Sequence, residues 1–127
     1  LAGIAEACRD RGVLLIAGDG PCETACTELA EQSRAIQVSL NRDMGRLARI
    51  VLTAAPTAAL RDLQTRQPDL MLVAPPASWQ PTLQAGSRHR FYVVDPAGNL
   101  MMQYAPEAEA KGVRADLERL LKHSWIG

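Results

Sequence analysis

The chain has 127 residues, 47% of them hydrophobic and only 4% aromatic, and its 14 basic side chains balance 14 acidic ones. This length corresponds to about one domain, so we expect residues 1–127 to form a single domain with a mainly aliphatic core. The balanced charge gives no overall basic field, and we therefore expect no nucleic acid as a partner. No apolar run approaches the ~20 residues that span a membrane.

A short helix or irregular lead-in is expected before Gly12, and the first predicted strand lies at residues 13–17, a continuous apolar run too short for a helix. Such a run is typical of a strand buried on both faces, and Gly18, Gly20 and Pro21 end it. From Cys22 to about Leu40 the chain has no helix breakers, and five residues recur at spacings of three or four that share one helical face. These are Cys22, Cys26, Leu29, Ser33 and Ile36. We therefore expect the helix to begin at Cys22 and both thiols to point the same way.

Two further apolar runs, at residues 48–54 and 70–74, predict strands. Between them, Pro56 suits the first turn of a helix that extends to about Arg66. The five arginines of residues 42–66 outnumber two aspartates, and we expect them to lie on a solvated surface.

The clearest hairpin of the chain joins residues 91–95 to residues 100–104 through a turn at 96–99. The two strands should be antiparallel. Pro106 and Glu107 then open a last helix with one apolar stripe. The stripe consists of Ala110, Val113, Leu117, Leu120 and Leu121.

This order of strand, helix, strand, helix, strand, hairpin and closing helix resembles a thioredoxin-like α/β sandwich. That fold has a central mixed sheet with a late β-hairpin, flanked by helices. Its loop after the first strand and its loop before the hairpin lie at the same end of the sheet. The resemblance therefore places His89 near Cys22 and Cys26.

Residues 20–26 read Gly-Pro-Cys-Glu-Thr-Ala-Cys, and residues 91–100 read Phe-Tyr-Val-Val-Asp-Pro-Ala-Gly-Asn-Leu. Together they resemble the SCO/SenC-like cytochrome oxidase assembly proteins, above all their shorter bacterial relatives, over residues 12–123. The resemblance implies Cu(I) as the metal, held by Cys22 and Cys26 of a Cys-x-x-x-Cys motif and by a histidine before the hairpin, here His89. It also implies a position on the periplasmic face of the inner membrane, attached by an N-terminal anchor outside this chain. The implied partner is a protein, either a copper-site subunit of the oxidase or another copper chaperone.

The residue chemistry leaves two roles open for this motif. Thiolates are soft ligands that suit Cu(I), and a helix N-terminus lowers the pKa of a nearby thiol. The same pair can form a disulfide if the start of the helix is distorted, so Cys22 and Cys26 are also candidate catalytic residues of a thiol–disulfide reductant. In that role we expect Cys22 to be the more exposed cysteine and to react first.

A third hypothesis belongs to another class of protein. The chain would be a metal-free thioredoxin-like module without redox activity, which binds a partner through the Pro-rich loop that contains Trp79. The two cysteines would then be part of the core or a structural disulfide, and His89 a surface histidine. We expect Cys8 to be a buried small hydrophobic residue and His123 to complement the dipole of the last helix.

Overall fold

The computed structural model describes residues 11–75 and 88–124. Within these ranges a mixed sheet forms, with helices between its first three strands and a β-hairpin before the last helix. The elements are β1 (Gly12–Ala17), α1 (Thr24–Ser39), a 3-10 helix (Asn41–Arg46), β2 (Leu47–Leu52), α2 (Ala58–Arg66), β3 (Leu70–Val73), β4 (Arg90–Val94), β5 (Leu100–Gln103) and α3 (Ala110–Arg119), which continues as a π-helical segment (Leu120–Ser124).

The sheet has the strand order β3-β2-β1-β4-β5. Strand β1 lies at its centre, parallel to β2 and antiparallel to β4, while β3 is parallel to β2 and β5 is antiparallel to β4. The predicted class, a thioredoxin-like α/β sandwich with a mixed sheet and a late hairpin flanked by helices, is confirmed.

All six residues of β1 are buried, as the continuous apolar run predicted. Because side chains alternate across a strand, Leu14 and Ile16 belong to one core cluster and Val13 and Leu15 to another. The first cluster also contains residues of α1, α2 and α3. These are Cys26, Leu29, Ala30 and Ile36 of α1, Leu60 and Leu63 of α2, and Val113 and Leu117 of α3.

The structure corrects three predicted helix starts. Helix α1 begins at Thr24 rather than Cys22, because Glu23 has extended backbone angles and Cys22 lies outside the helix. Helix α2 begins at Ala58 and is capped by the hydroxyl of Thr57, which accepts a hydrogen bond from the backbone N–H of Leu60, so Pro56 precedes the helix.

The last helix begins at Ala110 instead of at Pro106. Before it, the N–H of Ala108 donates to the carbonyl of Ala105 in a turn, which takes up the residues that the sequence assigned to the first helical turn.

One arginine of residues 42–66 is not on the surface. Arg49, in the middle of β2, is completely buried. Its Nη1 donates to Oγ of Ser33 at 3.1 Å and to Oε1 of Gln67 at 2.8 Å, and its Nη2 donates to both carboxylate oxygens of Asp69 at 3.1 Å. The expectation that these arginines form a solvated surface is therefore wrong for Arg49, whose charge is neutralised inside the fold.

Replacing Asp69 by Asn should lower the free energy of unfolding by roughly 2 to 3 kcal/mol, because it leaves a buried guanidinium without its counter-charge. The expected loss is smaller than for a fully buried pair, since the Asp69 side chain is 45% exposed. Urea unfolding measures it. The matched control is Asp62→Asn, whose ion pair with Arg66 is exposed and should be worth at most about 0.5 kcal/mol. Equal losses in the two variants would contradict the importance of the buried charge.

The stabilisation by Asp69 should also depend on pH. Burial by itself raises the pKa of this carboxyl, but the hydrogen bonds and the charge of Arg49 outweigh burial and hold the pKa below its ordinary value. A lowered pKa in the folded state gives stability that is present above the unfolded pKa of about 3.9 and lost below it. The difference between wild type and Asp69→Asn should therefore shrink as the pH falls below about 4.

Candidate functional site

The two cysteines of the motif form a disulfide at the end of β1. Cys22 lies in the loop before α1 and Cys26 in its first turn, with their Cα atoms 5.0 Å apart. The loop between β1 and α1 turns sharply at Gly20, whose φ of +80° favours glycine. The distorted helix start that a disulfide requires is thus present, whereas the prediction that both cysteines belong to the helix is wrong for Cys22.

The disulfide is buried but borders a cleft. Cys22 is 0% exposed and Cys26 1% exposed, so the expectation that Cys22 is the more exposed residue is wrong. Cys26 lies in the wall of a cleft of ≈ 580 Å³. Other residues in this wall are Asp19, Glu23, Glu28, Arg88 and His89.

Helix α2 is joined to the cysteine loop through Thr57. The Thr57 hydroxyl donates to the carbonyl oxygen of Cys22 at 3.3 Å and also caps α2. One side chain therefore fixes the position of Cys22 relative to the N-terminus of a second helix. The sequence carried a signal for this role, because threonine directly before a helix is a common N-cap residue.

His89 lies opposite the beginning of the cysteine loop. Strands β1 and β4 pair up to Ala17 and Arg90, and the next residues along each strand are Gly18 and His89. A Cβ atom on Gly18 would lie 2.6 Å from both Cα and N of His89 and 2.7 Å from its Cγ, closer than real Cβ contacts come. The missing side chain of Gly18 thus allows the backbone and ring of His89 to lie against the end of β1.

The imidazole of His89 is partly buried and electrostatically linked to Asp19. Burial lowers the pKa of His89 below its ordinary value, and the charge of Asp19 opposes that shift without cancelling it. The Nε2 atom is buried and has no hydrogen-bond partner in the part of the chain that the structure describes. A neutral ring with an unpartnered nitrogen can accept a hydrogen bond or bind a soft metal.

Most of the charged residues in the cleft wall are acidic. Asp19, Glu23 and Glu28 are exposed, and the guanidinium of Arg88 forms an ion pair with Glu107 at 3.1 Å.

The structure brings Cys26 and His89 into one cleft, as the predicted topology required. It does not preassemble a metal centre, because in residues 11–75 and 88–124 no three His, Cys, Asp or Glu side chains are grouped so that they could hold an ion.

Cys8 and Trp79 lie outside the described residues, as does the side chain of His123. No sequence pattern predicts the contact between Gly18 and His89, because it depends on the spacing of two strands far apart in the chain.

Comparison with solved structures identifies the fold class. The chain is similar to ScoI of Bradyrhizobium japonicum with copper bound, at 17% identity and a TM-score of 0.62, with 91% of this chain and 88% of the other covered. It is also similar to copper-bound Sco1 of yeast, at 14% identity and a TM-score of 0.64, with 94% and 80% covered. The exposed lipoprotein thioredoxin Etrx1 of Streptococcus pneumoniae matches at 14% identity and a TM-score of 0.56, with 91% and 90% covered. At these identities the likeness shows a thioredoxin-like fold that Sco proteins share.

The family follows from the sequence. The family described as "transmembrane-like, thioredoxin-like, C-terminal domain" matches residues 13–124, and the chain belongs to this family. No curated protein sequence matches the chain. In the described residues, none of the helices is both long and apolar enough to cross a membrane.

The burial of His89 and the charge of Asp19 predict the direction in which the pKa of the imidazole is shifted. In an NMR pH titration, the imidazole resonance should show its midpoint below pH 6.5, because burial disfavours the charged ring. Asp19→Asn should move the midpoint lower still, since it removes a charge that favours protonation. The variant His89→Gln identifies the resonance. A midpoint at or above 6.5, or an upward shift in Asp19→Asn, would contradict this environment.

Proposed function

We propose that the chain exchanges thiols and disulfides with a protein partner through Cys22 and Cys26. The observation that carries this proposal is the Cys22–Cys26 disulfide, which joins the loop after β1 to the first turn of α1 beside an open cleft. A purely structural disulfide needs no such cleft. The resemblance to SCO/SenC-like proteins supports the same role, reduction of the copper-site cysteines of a cytochrome oxidase subunit.

The proposed exchange proceeds through a mixed disulfide. In the reduced chain, the thiolate of Cys26 attacks one sulfur of the partner's disulfide; a bond forms between Cys26 and that sulfur, and the partner's other sulfur leaves as a thiolate. Cys22 then attacks the sulfur of Cys26, which re-forms the intramolecular disulfide and releases the partner as a dithiol. The two electrons that the partner gains are restored to Cys22 and Cys26 by an external dithiol. The N-terminus of α1 favours the thiolate form of the attacking sulfur.

The assignment of Cys26 as the attacking residue rests on access. Both cysteines are buried, but Cys26 lies in the cleft wall, whereas Cys22 does not line the cleft and its carbonyl is held by Thr57. A partner's sulfur that enters the cleft therefore meets Cys26 first.

Single-cysteine variants test this order of reaction. In a Cys8→Ala background, reduced Cys22→Ser, which keeps Cys26, should form a mixed disulfide with oxidised glutathione at least about tenfold faster than Cys26→Ser, because exchange rates depend on access to the thiolate. Quenched samples analysed by intact mass give both rates. A faster reaction of Cys26→Ser would reverse the order of attack, and no adduct with either variant would rule out thiol exchange as the function.

A second candidate function is delivery of Cu(I) by the reduced chain, and the unpartnered Nε2 of His89 favours it. Two thiolates and an imidazole are a donor set that suits Cu(I). Both sulfurs are bonded to each other in the oxidised chain, so binding requires their reduction and the approach of His89. Copper would then be cargo, passed to an oxidase subunit or received from another copper chaperone by exchange of thiolate ligands.

Cu(I) titration tests the second candidate. Under anaerobic conditions against a competing chelator, the reduced Cys8→Ala protein should bind one equivalent tightly, and the oxidised protein none. Cys22→Ser should abolish tight binding because it removes a thiolate. His89→Ala should weaken it, whereas an unchanged affinity would remove His89 from the site. No competitive binding by the reduced protein would end the copper proposal.

The cellular setting belongs to the same proposal. We place the chain as a single domain at the periplasmic face of the inner membrane, attached through an anchor outside this sequence. The resemblance to membrane-anchored bacterial relatives and the transmembrane-like description of the family support this location. If both experiments are done and neither thiol exchange nor copper binding is detected, the remaining hypothesis is a metal-free module that binds a partner.

A further inference from the structure

The contact between Gly18 and His89 differs from the surroundings of Gly20, Gly45 and Gly112. A Cβ atom built on Gly45 or Gly112 meets nothing within 4 Å, whereas one on Gly18 meets two backbone atoms and the ring of His89 at 2.6 to 2.7 Å. Backbone atoms in a sheet cannot move aside as the end of a flexible side chain can. A side chain at position 18 must therefore displace His89 or the end of β1.

Both sides of this contact are anchored close by. On one side, β1 and β4 are paired up to Ala17 and Arg90, and the N–H of Tyr104 donates to the carbonyl of Phe91 at 3.0 Å. On the other side, the chain passes from Gly18 through a short loop to Cys22. His89 and Cys26 line the same cleft, so the separation of the two backbones at Gly18 sets where the imidazole lies within it.

We propose that Gly18 is a positioning residue for the redox pair, and that its missing side chain holds the His89 imidazole where it acts on the Cys22–Cys26 equilibrium. This proposal rests on the proposed thiol–disulfide function. Gly18 has no contact with a substrate in this role and acts only through His89.

The chemical effect follows from what reduction creates. Opening the disulfide adds two electrons and two protons and gives two S–H groups in a nearly buried site, where a donor without an acceptor is costly. The Nε2 atom of His89 is a buried acceptor without a partner among the described residues. A thiol that donates to it stabilises the reduced form, so moving the ring away should favour the disulfide.

A double-mutant cycle on Gly18→Ala and His89→Ala tests the proposal in the full chain with Cys8→Ala. The equilibrium constant of Cys22–Cys26 is measured against a dithiothreitol redox couple, with thiols counted by alkylation and mass spectrometry. Each single variant should shift the constant toward the disulfide by about threefold to tenfold, or ~15 to 30 mV for a two-electron couple. In the His89→Ala background, Gly18→Ala should cause no further shift.

Chemical unfolding of the same four proteins separates positioning from stability. Gly18→Ala should destabilise the fold in both backgrounds, because the clash with Cα and N of His89 remains when the ring is removed. Gly112→Ala, which adds a Cβ atom in open space on α3, is the matched control and should leave the constant unchanged. The proposal fails if Gly18→Ala destabilises the protein without shifting the constant, or shifts it equally with and without the imidazole.

If Gly18→Ala does not fold, His89→Ala in the native Gly18 background still tests the proposal, because an unchanged equilibrium constant in that variant overturns it.

Failure of the proposed function gives a different result. A wild-type chain that equilibrates with dithiothreitol but exchanges no thiol with oxidised glutathione would lack the function, while the effect of Gly18 on the constant is measured independently.

Discussion

The burial of β1 on both faces is the constraint on which the rest of the structure depends. Its six residues separate two core clusters, and its backbone pairs with β2 on one side and β4 on the other. Because β1 is held by the sheet and by both core clusters, the position of its last residue determines where the cysteine loop begins. Strand β4 runs antiparallel and begins at that same end. The disulfide loop and His89 lie at the same end of the sheet as a consequence of strand direction, although they belong to different parts of the chain.

Much of this arrangement could be predicted from the sequence, because β1 and most of β2, β3 and β4 are short apolar runs, which are typical of buried strands. The exact start of α1 could not. Spacing by three or four residues correctly indicates that Cys22 is buried. A residue in the loop before a helix can be buried against the same core as the helix, so the spacing does not distinguish a loop residue from a helical one. The start of the last helix could not be predicted for a related reason. Residues 107–109 contain no helix breaker, yet the chain forms a turn there and the helix begins only at Ala110.

The features that the sequence did not reveal depend on distances between elements. Arg49 has the sequence pattern of a surface arginine, yet Asp69, between α2 and β3, accepts two hydrogen bonds from it inside the fold. The contact of Gly18 with His89 likewise exists only because two strands come closer than a Cβ atom allows. Hydrophobic patterning identifies which face of an element is buried, but it contains no information on how closely two backbones approach.

The short span of the disulfide has a consequence for folding. Cys22 and Cys26 are four residues apart, so their bond closes a very small loop and removes only about 2 kcal/mol of chain entropy from the unfolded state. A bond across most of the chain would remove about twice as much. The aliphatic core therefore holds most of the stability, and we expect the domain to stay folded when this bond is reduced. The proposed thiol exchange needs this independence, because the fold has to persist in both redox states.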